Sequence, residues 1–148
     1  MEFRKITANK RAFLPLLLLA DEQEDMIERY LDDGELFVLY DPEPVGEIVI
    51  VPVRDGVEIK NLAVCPEMQK KGYGRALIEF AAARCKGCGT LYVGTGDSPL
   101  TVPFYRKCGF REHHRVPDFF TENYDHPIVE AGVLLKDMVY LAREIKYI

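Results

Sequence analysis

The stretch Val57-Glu58-Ile59-Lys60-Asn61-Leu62-Ala63-Val64 reads as a β-strand that loses its phase. Apolar residues hold the odd positions 57 and 59, then the even positions 62 and 64. Successive strand side chains point to opposite faces, so one regular strand cannot keep both sets on one side. Two solutions exist. Either the strand is covered on both faces after Lys60, as central strands of α/β sheets are, or a bulge near Lys60 and Asn61 resets the phase. A bulge leaves backbone N–H and C=O groups unpaired, and those groups can pair with a ligand.

The strand runs into Gln69-Lys70-Lys71-Gly72-Tyr73-Gly74-Arg75 and then a helix over residues 72–84, with Tyr73, Leu77, Phe80 and Ala81 on one face. Glycines let backbone amides approach a ligand, and a helix N-terminus offers free N–H groups and partial positive charge. That combination suits a phosphate. The loop lacks the pattern of a P-loop and the third glycine of a dinucleotide fingerprint, so a tight turn with a solvated cationic first turn reads equally well from these residues alone.

Outward from this centre the chain alternates cleanly. Residues 2–7, 35–40 and 45–53 read as strands, with Asp41-Pro42-Glu43-Pro44 and Asp55-Gly56 as turns. Residues 11–20 and 22–32 read as two helices, Asn9 capping the first and Pro15 bending it. A strand over 90–95, a short helix over 101–108, an extended segment over 110–116 and a last strand within 132–143 complete the chain. This is a single α/β domain over 1–148: one mixed, mostly antiparallel central sheet flanked by helices. The strand before Gly72 and the strand after Gly89 are parallel, joined by a right-handed crossover.

The 148 residues are 48% hydrophobic and 29% charged with a net charge of −5, which excludes disorder and disfavours sequence-independent nucleic-acid binding. An acidic protein attracts a cationic substrate. The run of residues 12–20 behind Arg4, Lys5, Lys10 and Arg11 imitates a signal peptide, but Leu18 stands where a small residue should precede cleavage, and the run is too short to span a bilayer. A buried first helix in a cytoplasmic protein without membrane attachment is the expectation. Cys85-Lys86-Gly87-Cys88 ends a helix rather than starting one and has no second ligand pair, so its thiols are expected to be idle. His113 and His114, adjacent in a strand, should point to opposite faces, and no metal site is expected.

Three features in order resemble the GNAT superfamily of acyl-CoA-dependent N-acyltransferases: the irregular strand, Gln69-Lys70-Lys71-Gly72-Tyr73-Gly74, and Phe104-Tyr105-Arg106-Lys107-Cys108-Gly109-Phe110. The tail around Asp118-Phe119-Phe120, Tyr124-Asp125-His126-Pro127-Ile128 and Lys136-Asp137-Met138 is similar to a bacterial subgroup whose substrates are poorly defined. The resemblance implies acetyl-CoA as co-substrate, with Leu62, Ala63 and Val64 against the pantetheine arm. It implies that the segment Gln69, Lys70, Lys71, Gly72, Tyr73, Gly74 and Arg75 holds the pyrophosphate. Ser98 stands where many members carry an asparagine near the cofactor.

The implied reaction is attack of a primary amine on a thioester. An alkyl amine is mostly protonated at neutral pH, so a proton acceptor is needed, and a tyrosine O–H can protonate the leaving thiolate. Tyr105 occupies the family's tyrosine position; from the residues alone it reads first as a core aromatic beside Phe104 and Phe110. Glu58 is the leading base candidate, with a surface glutamate paired to Lys60 as the plain alternative, and Glu47 is the second. Phe119, Phe120 and Tyr124 among Asp118, Glu122 and Asp125 would suit a cationic amine, or simply pack a surface loop. The acceptor is a small amine or an amino terminus. A non-catalytic acyl-CoA sensor is the competing reading, an oxidoreductase using Gly94-x-Gly96 is a weaker one, and the free end of the sheet leaves a homodimer open.

Overall fold

The computed structural model describes residues 1–85, 87 and 89–145. Its centre is a seven-stranded sheet, built from β1 (Glu2–Ile6), β2 (Glu35–Tyr40), β3 (Pro44–Val53), β4 (Gly56–Val64), β5 (Thr90–Gly96), β6 (Arg111–Val116) and β9 (Met138–Glu144). The strand order is β1-β2-β3-β4-β5-β9-β6, antiparallel throughout except for the parallel pair β4–β5. A separate two-stranded hairpin joins β7 (Val129–Glu130) to β8 (Val133–Leu134). The expected fold class holds, including the one parallel pair.

The phase error is a bulge. Val49 pairs with Asn61 but Ile50 pairs with Ile59, so Lys60 is the extra residue. Val57 and Ile59 therefore share a core with Leu62 and Val64, while Asn61 and Ala63 turn to the opposite face.

Two helical layers cover the sheet. Helix α3 (Tyr73–Arg84) buries Leu77, Ile78, Ala81 and Ala82 against Ile48, Ile50, Val57 and Ile59. On the other face lie α1 (Leu14–Leu17) and α2 (Glu24–Glu28), whose Leu17 and Ile27 pack on Leu36, Val38 and Val49. Short helices α4 (Thr101–Lys107) and α5 (Phe119–Asn123) follow β5 and β6.

The N-terminal helices are shorter than their apolar runs suggest. A 3-10 turn at Lys10–Phe13 leads into α1, and Asn9 has φ 55 with no side-chain cap. Pro15 sits in the first turn of α1, where its missing N–H costs nothing, so it starts the helix rather than bending it. The last strand is likewise split into β8 and β9. His113 is the extra residue of a second irregularity, between Glu112 and His114, which brings the two imidazoles side by side with Nδ1 atoms 2.7 Å apart. They do not take opposite faces. Cys85 is buried; its C-x-x-C partner Cys88 lies outside the described residues. Among the described residues no helix is long and apolar enough to cross a membrane, and no group of three or more His, Cys, Asp or Glu could hold a metal.

Candidate active site

The cleft follows from strand pairing. β4 and β5 are paired only from Gly56–Ile59 to Thr90–Val93; beyond that, at the bulge, they diverge. The residues after the divergence, Lys60 to Val64 on one side and Gly94 to Gly96 on the other, line a cavity of about 420 Å³. The β5-facing backbone groups of the β4 segment have no strand partner there, and an extended ligand could take them. Leu62, Ala63 and Val64 all line this cavity.

Gln69 also lines the cleft, its amide donating to the Val64 carbonyl at 3.1 Å. Lys70 (φ 63) and Gly72 (φ 90) adopt left-handed backbone, which folds the loop back so that α3 starts beside the cleft. A Cβ at Gly72 would meet nothing within 4 Å, so this glycine serves the backbone angle. Gly74 serves packing, because a Cβ there would lie 3.0 Å from Phe104 Cζ. The first amides of α3 have no partner within the helix, and the exposed Lys70 and Lys71 flank them. Arg75 is partly committed, donating to the Lys107 carbonyl at 2.7 Å. Tyr73 points elsewhere, its hydroxyl donating to Asp41. A diphosphate fits this cradle of free amides and cationic side chains.

Tyr105 satisfies both of its readings. Its ring is core, packed edge-on against Phe104 and Phe110 with centroids 5.1 and 5.6 Å away. Yet it also lines the cleft, and among the described residues no hydrogen bond to its hydroxyl is made. Burial pushes its phenol well above the usual range, so the proton stays on at neutral pH.

Ser98 is buried and spent on structure: its Oγ accepts from the amides of Leu100 and Thr101 at 3.1 and 3.3 Å. The neighbouring Thr101, not Ser98, reaches the cleft wall. Glu58 precedes the divergence and does not line the cleft; it pairs with Lys60, which does, at 3.1 Å. Glu47 lies on the same face, opposite Ala63, fully buried with neither carboxylate oxygen hydrogen-bonded. Burial raises its carboxyl well above the usual range, and the nearby Ala63 amide offsets only part of that.

The remaining wall joins segments far apart in the sequence. Leu19 to Glu22, after α1, line the cleft together with Phe120 and Tyr124 of the α5 region. Asp21 accepts from the Tyr124 hydroxyl at 2.8 Å, and Asn61 donates to the Tyr30 hydroxyl at 3.0 Å. Asp21 carried no signal in the sequence, and Asn61 only that of a polar residue inside an apolar strand. Of the aromatic and acidic segment, Phe120 and Tyr124 reach the cleft; Phe119 does not line it.

The family model for the GNAT acetyltransferase domain matches residues 32–112. The N-acetyltransferase YvbK of Bacillus subtilis (strain 168) is 40% identical over 131 residues, spanning 85% of this chain and 84% of that protein. The chain belongs to the GNAT acetyltransferase family. A GNAT acetyltransferase from Elizabethkingia anophelis, solved with acetyl-CoA bound, is 35% identical and superposes with a TM-score of 0.89 over 97% of both chains. A Bacillus subtilis acetyltransferase in complex with CoA is 36% identical with a TM-score of 0.85, over 98% of this chain and 99% of that one. The GNAT model takes in the bulged strand, the glycine loop and Tyr105, but ends before Phe120 and begins after Asp21. The solved structures, by contrast, superpose over nearly the whole chain, including the segments of Asp21 and Phe120.

Proposed function

We propose that this GNAT acetyltransferase moves an acetyl group from acetyl-CoA to a primary amine by direct attack of the amine on the thioester. The observation that carries the reading is the bulge at Lys60, which parts β4 from β5 directly beside the amide-rich start of α3. Acetyl-CoA supplies an acyl group activated as a thioester. The chain supplies the rest. Leu62, Ala63 and Val64 offer backbone groups to an extended arm, and the loop from Gln69 to Arg75, with Lys70 and Lys71, takes the diphosphate. These local cations outweigh the overall charge of −5.

Tyr105 is the proposed acid: a protonated, unpartnered phenol in the cleft, able to give its proton to a leaving thiolate. Glu58 is the proposed proton acceptor, acting through water because its carboxylate stands outside the cleft lining. Ser98 supports this wall by capping the turn before α4 rather than by touching cofactor.

The competing reading is a module that binds acyl-CoA without turnover. Tyr105→Phe separates the two. In an enzyme it lowers kcat by about 10² while calorimetric acetyl-CoA affinity stays within two-fold or so. Acetyl-CoA binding with NAD as the blank, and no CoA release across a panel of primary amines, would leave only the sensor. Unchanged turnover in the variant would remove Tyr105 from the chemistry.

A further inference from the structure

Helix α4 ends on two carbonyls that the backbone does not satisfy. Gly109 is left-handed (φ 95) and closes the helix. Its amide donates to the Arg106 carbonyl at 3.0 Å, and the Phe110 amide donates to the Tyr105 carbonyl at 3.1 Å. Among the described residues no backbone N–H reaches the next two carbonyls, those of Lys107 and Cys108. Guanidiniums from two other elements take them. Arg75, in the first turn of α3, donates to the Lys107 carbonyl at 2.7 Å. Arg143 of β9 donates to the Cys108 carbonyl at 3.2 Å and is itself held by Glu79 at 2.8 and 3.0 Å. Glu79 stands one turn after Arg75, so one face of α3 carries the first clamp and anchors the second. A helix C-terminus is partially negative, which favours cations over neutral donors there.

Tyr105 rides on this helix, and nothing holds its hydroxyl directly. The ring packs on Phe104 and Phe110, but among the described residues the O–H makes no hydrogen bond. Its place in the cleft is therefore set by where α4 sits. Ser98 fixes the start of the helix, through the Thr101 amide. Phe104 fixes the middle against Gly74, where a Cβ would come within 3.0 Å of the ring. The end is left to the two arginines.

We propose that Arg75 and Arg143 are positioning residues for Tyr105. They fasten the end of α4 and so fix the point from which the phenol passes its proton to the leaving thiolate. The Arg75 side chain then serves the reaction through α4 rather than as a ligand of the diphosphate. Arg143 does not line the cleft and acts through the same helix. The effect on turnover rests on Tyr105 as the acid; the placement of the ring does not.

The test combines CoA release with the best acceptor of a primary-amine panel, acetyl-CoA calorimetry, and carbon-13 NMR of protein labelled at tyrosine Cζ. Arg143→Met should lower kcat about ten-fold and leave acetyl-CoA affinity within about two-fold. Arg143→Lys, which keeps a charged donor, should recover most of that loss and checks that the site still folds. Arg75→Met should lower kcat about three-fold, again with affinity retained. Because both act through Tyr105, neither should lower kcat further in a Tyr105→Phe background. The Tyr105 signal, assigned by its loss in Tyr105→Phe, should move in both methionine variants while that of Tyr30 stays. An unmoved Tyr105 signal, full additivity with Tyr105→Phe, or an Arg75→Met protein that loses acetyl-CoA affinity with kcat intact would overturn the proposal. A moved signal with unchanged kcat would keep the placement and remove Tyr105 as the acid. If no amine releases CoA, the acetyl-transfer reading fails and the tyrosine signal decides the placement by itself.

Discussion

Glu47→Gln should make the protein less sensitive to pH, with a magnitude that follows from burial. Glu47 is 0% exposed and neither carboxylate oxygen has a hydrogen bond, so the folded state favours the neutral acid and its pKa lies well above the usual range. An unfolded glutamate titrates near ~4.3. Between these two values the folded state holds a proton that the unfolded state has lost. Unfolding then releases protons, and stability falls as pH rises, by up to about 1.4 kcal/mol per pH unit. Stability is fully present below the unfolded value, and the loss stops once pH passes the folded value. From pH 5 to pH 7 the wild type should lose up to about 2.7 kcal/mol from this group alone.

Glutamine keeps the shape and cannot ionise. It sits on the same face of the sheet as Asn61, one diagonal step across. Asp21, also raised by burial, contributes with the same sign but is common to both proteins and cancels in the difference. Urea unfolding of both proteins at pH 5, 6, 7 and 8 measures the effect. With a slope of about 2 kcal/mol per molar urea, the midpoint of the variant should gain on the wild type between pH 5 and pH 7, by up to about 1.3 M. Parallel curves over that range would mean that Glu47 is ionised and solvated in the folded protein, and would refute the burial argument.

Gly56→Ala should be severe, because an ideal Cβ at this position would lie 1.8 Å from the Thr90 carbonyl oxygen. A loss of about 3 kcal/mol or more in urea unfolding is expected, at or beyond the upper end of overpacking costs; a loss under about 1 kcal/mol would show that the β4–β5 ladder yields easily. Glu58→Gln should lower kcat by about 10² if it accepts the amine's proton, and flatten the acid limb of the pH–rate profile; a profile unchanged in shape would assign the base elsewhere.

The elements legible in the sequence were those set by local rules. The bulge could be read because Val57 and Ile59 disagree in parity with Leu62 and Val64, a conflict contained in eight residues. The glycine loop could be read because Gly72 needs a backbone angle other residues avoid. The failures came from longer range. The apolar run before Ala20 reads as one helix, but Lys10 reaches the carbonyls of Leu31 and Gly34, and that anchoring leaves only a short α1. Nothing near His113 announces its irregular pairing, which is set by β9. Asp21 and Tyr124 stand 103 positions apart and meet only once the sheet has placed both, so no window could associate them. Glu47 was visible as a polar residue in an apolar strand, but only the closed fold shows that it is sealed from water.

The β4–β5 pairing has a mechanical consequence. Its four register pairs, Gly56 to Ile59 on Thr90 to Val93, span roughly 10 Å, and the free arm from Ile59 to Val64 spans roughly 16 Å. The cleft is thus a fork whose open prong is longer than its closed base, with the parting at Ile59 and Val93. The gap between Val64 and Gly96 therefore opens from a base held shut at the far end of the strands, where Gly56 allows the two backbones to touch.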